Sequence, residues 1–275
     1  MQMKNVYGKH VLVTGASSGI GRAVAIAFAE AGCEVTGVSR HCEDGAAEEI
    51  GSGCIVSRVC DVTDEAAVEA LISSLPEINI AVLCAGMGVA GPAEELPMAL
   101  ARKQMEVNYF GVLTVGHAVL PRMRKQGKGL FLVISSIAGR VPIPMQCHYS
   151  SSKYALEAYV EAVRMEMKSF GVRASLIEPG DTKTGFTAAR EGYSIPDDSP
   201  YKGIYEKSIA RMAHDEQTGK PPESVAEVAL KLVGRKNPPA RVAVGGGYKA
   251  LMFLHRLFPD RLTEWVLSKI YLPSS

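Results

Sequence analysis

The sequence is nearly without net charge: 30 lysines and arginines stand against 29 aspartates and glutamates in 275 residues, leaving +1. That balance argues against a surface built for a polyanion. The six cysteines (33, 42, 54, 60, 84 and 147) form no Cys-x-x-Cys pair and have no histidine at zinc spacing, so no metal site is expected. Scattered thiols of this kind suit a reducing cytosol, where they act as small core residues. No run of 18 apolar residues is present to span a membrane, and "MQMKNVYGKHVLVTG" carries no apolar signal segment before its first apparent strand. Repeats and low-complexity linkers are also lacking. The expectation is a cytoplasmic globular chain.

What the sequence does have is rhythm. With 47% hydrophobic and 21% charged residues it can fill a core. Short runs rich in Val, Ile and Leu recur at 10–15, 33–39, 54–59, 78–86, 129–136, 172–180 and 240–245. They are apolar on both faces, as a buried parallel sheet demands. Helical spacing fills the gaps: Ile20, Ala23, Val24, Ala27, Phe28 and Ala31 share one face before Gly32. This alternation predicts an α/β fold, one doubly wound domain with a parallel seven-stranded sheet. The stretch 185–221, with "GYSIPDDSP" and "TGKPP", breaks the rhythm and is expected to be a lid or binding loop.

The first strand runs into "TGASSGIGRAVA". Gly15 permits a tight turn, while Gly19 and Gly21 let the backbone approach a pyrophosphate and the helix pack closely. A strand before and an amphipathic helix after raise this pattern from a plain turn to a dinucleotide site. The second strand ends in Ser39 and Arg40, where an NAD-preferring site would usually place an acid. Arg40 can pair with a 2′-phosphate, so NADP(H) is favoured over the alternative of a solvated strand-end charge.

Tyr149 and Lys153 stand at i and i+4 on one helix face. A free phenol titrates near pH 10, so work near neutrality calls for a value about 2–3 units lower, or roughly 3–4 kcal/mol of phenolate stabilisation. A desolvated ammonium and an oxidised nicotinamide ring are expected to supply it. By itself a Tyr-x-x-x-Lys pair is more often a surface pair; here it follows a strand ending in "ISS".

These residues together resemble the short-chain dehydrogenases/reductases, in their short-subunit branch. The resemblance covers about residues 7–245 and rests on "TGASSGIG", "CDVTD", "CAG", "VNYFG", "ISSIAG", "YSSSK" and "PGDTKT" in order. It implies that Tyr149 is the acid/base group and that Lys153 lowers its pKa and holds the nicotinamide ribose. Ser136, rather than Ser135, would bond the substrate oxygen, and Asn108 would hold a water joining the lysine to solvent. The implied cofactor residues are Gly15, Ser17, Ser18, Gly19, Ile20 and Gly21 in the turn, Ser39 and Arg40, then Asp61 and Val62 at the adenine. Ala85 and Gly86 follow, with Tyr149 and Lys153, and with Pro179, Gly180, Thr182 and Thr184 beside the nicotinamide. One departure is Cys84, where the family usually has Asn. It cannot make the same amide bonds, so some local rigidity between strands is expected to be lost.

The implied reaction is hydride transfer between a nicotinamide and a ketone or secondary alcohol, without a metal. Phe186, Tyr193, Tyr201, Tyr205 and Met212 are expected either to form an apolar lid or to anchor the loop. Beyond the catalytic domain (1–245), the segment 246–275 reads as two short helices about Pro259. Such a tail can cover the cleft, pack between subunits or lie on lipid, the first two being favoured. The layout is similar to hydroxysteroid- and retinol-type members, which implies a bulky hydrophobic substrate. The alternatives are a 3-oxoacyl thioester reductase and a non-catalytic dinucleotide sensor. A homodimer or homotetramer is expected, with no nucleic acid as partner and peripheral membrane contact open to the tail.

Overall fold

The computed structural model describes residues 5–186 and 190–272. The ends of the chain and residues 187–189 of the expected lid lie outside the described residues. Eight strands form the main sheet: β1 His10–Thr14, β2 Glu34–Ser39, β3 Ala47–Ile50, β4 Gly53–Val59, β5 Ile80–Leu83, β7 Gly129–Ile134, β8 Val172–Glu178 and β10 Arg241–Ala243. Their spatial order is β10-β8-β7-β5-β1-β2-β4-β3. The order reverses between β1 and β5, which opens a crevice at the carboxyl ends of the central strands.

Seven of these strands are the expected parallel ones. The eighth corrects the expected count. Ala47–Ile50 pairs antiparallel with β4, joined to it through Gly51 in the left-handed region at φ 63°. Its residues "AEEI" are mostly exposed, so no apolar run marks it. Backbone pairing across a tight turn forms it, at an edge that its glutamates protect. A second small sheet pairs β6 Val89–Ala90 with β9 Glu191–Gly192.

Helices cover both faces of the sheet. On one face α1 Gly19–Glu30 packs against α7 Glu223–Val233, burying Val24, Phe28, Val225 and Leu232 with Val11 and Val13 of β1. On the other lie α2 Glu65–Ser74, α4 Gly111–Gln126 and α5 Cys147–Glu166, over Leu12, Leu83, Phe131 and Leu176. Odd and even residues of each central strand therefore enter different cores, which is why those strands read as unbroken apolar runs. The expected long loop is largely a helix, α6 Lys202–Thr218. Two terminal helices follow, α8 Gly246–His255 and α9 Asp260–Tyr271.

Candidate active site

At the sheet's carboxyl edge a cleft of about 520 Å³ receives the ends of β1, β2, β4, β5, β7 and β8. Its floor begins at the glycine turn. Gly15 takes φ 68°, and a Cβ there would stand 2.9 Å from the Ala85 nitrogen. A Cβ on Gly21 would stand 2.1 Å from the Gly15 carbonyl oxygen. Only bare backbone fits, and the positive end of α1 consequently points into the cleft. Ser39 and Arg40 form the cleft's outer edge, with Arg40 exposed. Asp61 accepts from the Thr63 nitrogen at 3.0 Å and its hydroxyl at 2.9 Å, which holds the β4–α2 turn.

The inner end is carried by α5 and β7. Lys153 is 6% exposed, and its Nζ donates to the Ile134 carbonyl at 2.9 Å. It lies 5.8 Å from the Tyr149 ring centroid. Ser136 begins the turn after β7; its Oγ accepts from the Ala138 nitrogen at 3.1 Å and faces Pro179 O at 3.5 Å. Phe186 closes over the other side of Tyr149, with ring centroids 5.8 Å apart.

Burial dominates the electrostatics of Tyr149 and Lys153. It pushes the Tyr149 phenol up to about 12; the Ser136 hydroxyl pulls it down, Glu216 adds to the rise and Arg190 opposes it. Burial pushes Lys153 itself down to about 8, with Cys84 and Glu157 opposing. Burial is the largest influence on both groups, raising the phenol and lowering the ammonium. The Arg190–Glu216 ion pair sits beside the phenol, nearly out of solvent.

Every sequence-predicted site residue lines this cleft except Asn108. Asn108 is fully buried in a π turn, Glu106–Phe110, within a helical run from Met98 to Gln126. Its Oδ1 accepts from the Met87 nitrogen at 2.8 Å, and its Nδ2 donates to Met87 O at 3.0 Å and to Ser152 Oγ at 3.1 Å. It stands behind Gly86, whose Cβ position is 3.3 Å from Asn108 Oδ1 and 4.0 Å from Lys153 Nζ.

Cys84 does not loosen the strands as expected. Thr14 Oγ1 accepts from the Cys84 and Ala85 nitrogens at 3.1 and 3.2 Å, tying β1 to β5. Burial pushes the Cys84 thiol up to about 12. Of the four lid aromatics and the methionine, only Phe186 reaches the cleft. Met212 is buried elsewhere, and Tyr201 bonds Glu94, so these anchor the segment.

Sequence reasoning missed Gln146, Asp181, Glu216, Tyr248 and Tyr271, which also line the cleft. Gln146 had a readable signal, three positions before Tyr149. The two tail tyrosines had none, because long-range folding brings them there. Tyr248 Oη donates to the Asp181 carboxylate, and the Asp181 nitrogen donates back to Tyr248 Oη at 3.1 Å.

The short chain dehydrogenase family model matches residues 9–192, two thirds of the chain. The chain belongs to this family, the short-chain dehydrogenases/reductases. It is 36% identical to the 3-ketodihydrosphingosine reductase of Bacteroides thetaiotaomicron, over 95% of this chain and 97% of that one. It is 34% identical to the NADPH-dependent 3-dehydrocapnine reductase of Ornithobacterium rhinotracheale, over 95% and 96%. Among solved structures, a short-chain dehydrogenase from Streptomyces avermitilis superposes with a TM-score of 0.79 at 27% identity, covering 94% of this chain and 96% of that one. As a short-chain dehydrogenase/reductase, the protein is an NAD(P)-dependent oxidoreductase acting between CH–OH and C=O. Among the described residues no helix is long and apolar enough to cross a membrane.

Proposed function

We propose that this short-chain dehydrogenase/reductase is an NADP(H)-dependent reductase of a hydrophobic ketone bearing a long alkyl chain, with Ser136, Tyr149, Lys153 and Asn108 as its catalytic set. The observation that carries the reading is the convergence of the Ser136 hydroxyl, the Tyr149 phenol and the buried Lys153 ammonium at one end of a cleft whose other end is the glycine cradle and Arg40. The names of the two bacterial relatives, both reductases of 3-oxo compounds, support the alkyl ketone over a steroid.

The cradle fits a dinucleotide: Gly15 and Gly21 press against the backbone of Ala85 and Gly15, where a Cβ would clash, and the tight turn this permits leaves the N-terminus of α1 facing the cleft for a pyrophosphate. Gly15, Ser17, Ser18, Gly19, Ile20 and Gly21 would hold the phosphates. Ser39 and Arg40 would read the 2′-phosphate, and Asp61 and Val62 the adenine. Ala85, Gly86, Pro179, Gly180, Thr182 and Thr184 would hold the nicotinamide half. Bound NADPH supplies the hydride. Ser136 Oγ and Tyr149 Oη donate to the substrate carbonyl oxygen and stabilise its developing negative charge. Tyr149 Oη then gives up its proton to that oxygen. With its phenol pushed up to about 12, Tyr149 is protonated at neutral pH and suited to act as the acid in reduction. Lys153 holds positive charge next to the phenolate that remains. Asn108 fixes the Met87 backbone beside this group. Residues 1–245 form the catalytic body, 185–221 the substrate cover and 246–275 a further wall. A homodimer or homotetramer is part of this reading.

The test is NADPH oxidation against 3-ketodihydrosphingosine, steroid and retinoid ketones, and a 3-oxoacyl thioester, with Tyr149→Phe alongside. Turnover of the long-chain ketone, reduced about 10²–10⁴-fold in the variant, is the expected result. Preference for the thioester would replace the substrate assignment. NADPH binding without any turnover would move the protein to the sensor class.

A further inference from the structure

The two terminal helices carry apolar residues on the side turned away from the protein. In α9, Thr263, Leu267 and Tyr271 face inward: Leu267 packs near Ile137, Val141, Ala243 and Met252, and the Tyr271 carbonyl accepts from Ser208 Oγ at 2.6 Å. Leu262, Trp265, Val266 and Ile270, at i, i+3, i+4 and i+8, remain 37–60% exposed. In α8 and the turn after it, Leu251, Phe253, Leu254, Leu257 and Phe258 are 41–65% exposed. Most of the large apolar side chains exposed among the described residues thus fall between positions 251 and 270. An apolar ridge of this kind, concentrated in one short segment, marks a surface that something covers.

Charge identifies the occupant. Lys249, Arg256, Arg261 and Lys269 are exposed along the ridge, without ion pairs among the described residues. Asp260 and Glu264 oppose them, Asp260 lying at the start of α9, where it complements the helix dipole. The surplus is positive. In a two-fold contact with a second copy this cationic rim would meet itself, since the same patch faces the same patch. An anionic lipid surface complements both the rim and the ridge. The helices that carry the ridge also reach the cleft, which Tyr248 at the start of α8 and Tyr271 at the end of α9 line from their inner sides.

We propose that the α8–α9 ridge docks on an anionic lipid bilayer, with its apolar side chains at the acyl boundary and its arginines and lysines among the headgroups. An alkyl-chain substrate then passes between bilayer and cleft beside Tyr248 and Tyr271. The contact is peripheral, of the interfacial-helix kind. The inference deepens the functional reading above and rests on it for the substrate, though not for the docking itself.

The chain's single tryptophan, Trp265, lies on the ridge and reports the contact directly. Full-length protein is mixed with vesicles of phosphatidylcholine alone, or of phosphatidylcholine with phosphatidylglycerol, and then floated. The expected result is flotation with the anionic vesicles, a blue shift of Trp265 emission and weakening at high salt. Phe253→Ser combined with Leu257→Ser is expected to weaken partitioning roughly a hundredfold while leaving NADPH binding unchanged. Absence of flotation together with unmoved emission would overturn the proposal. So would a blue shift that follows protein concentration without vesicles and is accompanied by a doubled mass in light scattering; that outcome would give the ridge to a second copy. Ketone turnover by the same preparation separates the two readings: turnover without flotation sinks the docking alone, and flotation without turnover supports docking and sinks the substrate reading.

Discussion

Single side chains set the chemistry through their surroundings. Arg40, exposed at the cleft edge, is the residue expected to choose between cofactors. Arg40→Asp should reduce the preference for NADPH over NADH by about tenfold or more, the scale of one charged hydrogen bond; an unchanged ratio of the two kcat/KM values would remove Arg40 from that role. Lys153 makes a pH prediction. Burial lowers it from 10.5 to about 8, so its charge is present below that pH and lost above it. The fall in kcat/KM on the alkaline side should therefore be centred near pH 8, well below the range of an ordinary lysine. Burying the ammonium also opposes folding at neutral pH, and the penalty is relieved as pH rises from about 8 towards 10.5. A profile flat to pH 10 would show that the lysine's charge is not used.

At the scale of elements, α5 works as a ruler. Tyr149, Lys153 and Glu157 follow at four-residue steps, and Glu157 descends into a buried ion cluster with Glu178, Arg140 and Arg241. This cluster joins α5 to the carboxyl end of β8, one residue before Pro179. Burial pushes the Glu157 carboxyl up to about 7 from 4.5; the neighbouring Glu178 adds to the rise, and the Ser135 hydroxyl, Arg241 and Arg140 oppose it. A raised carboxyl contributes stability that is complete below pH 4.5 and is lost as pH rises through about 7. Glu157→Gln does not titrate. Its Tm, compared with that of the parent, should therefore improve as pH rises from about 5 to 8, by roughly 2–4 °C for each kcal/mol involved. A difference independent of pH in thermal melts would refute the assignment.

The whole molecule shows how a late segment of chain enters an early site. Tyr248 grips Asp181 in the loop after β8, and Gly180 lies so close that a Cβ there would be 2.2 Å from the Tyr248 ring. The tail is thereby tied to the loop after β8, which lines the inner end of the cleft. Tyr248→Phe should cost about 1.5–3 kcal/mol, the worth of a hydrogen bond to a charged group, seen as a lower Tm and weaker NADPH binding in titration. Unaltered melting and binding would make the contact incidental.

The sequence by itself determined the doubly wound sheet, because strands buried on both faces must be apolar throughout and helices between them must repeat near 3.6 residues. It also determined the glycine turn and the Tyr149–Lys153 pair, since local backbone geometry and i, i+4 spacing leave their marks in neighbouring residues. Tertiary structure alone decided the rest. The edge strand Ala47–Ile50 has no apolar signature, because its side chains face water and only its backbone is paired. Asn108 reads as an ordinary helix position, yet Met87 and Ser152 hold it in a π turn. That burial pushes the Tyr149 phenol up is likewise settled by the packed fold, since spacing describes one neighbour and burial acts from all sides. Tyr248 and Tyr271 reach the cleft from far along the chain, and Leu262, Trp265 and Ile270 turn outward where amphipathic spacing alone does not say which face is covered. Periodicity records that a face is apolar; only the packed fold decides whether protein or something else lies against it.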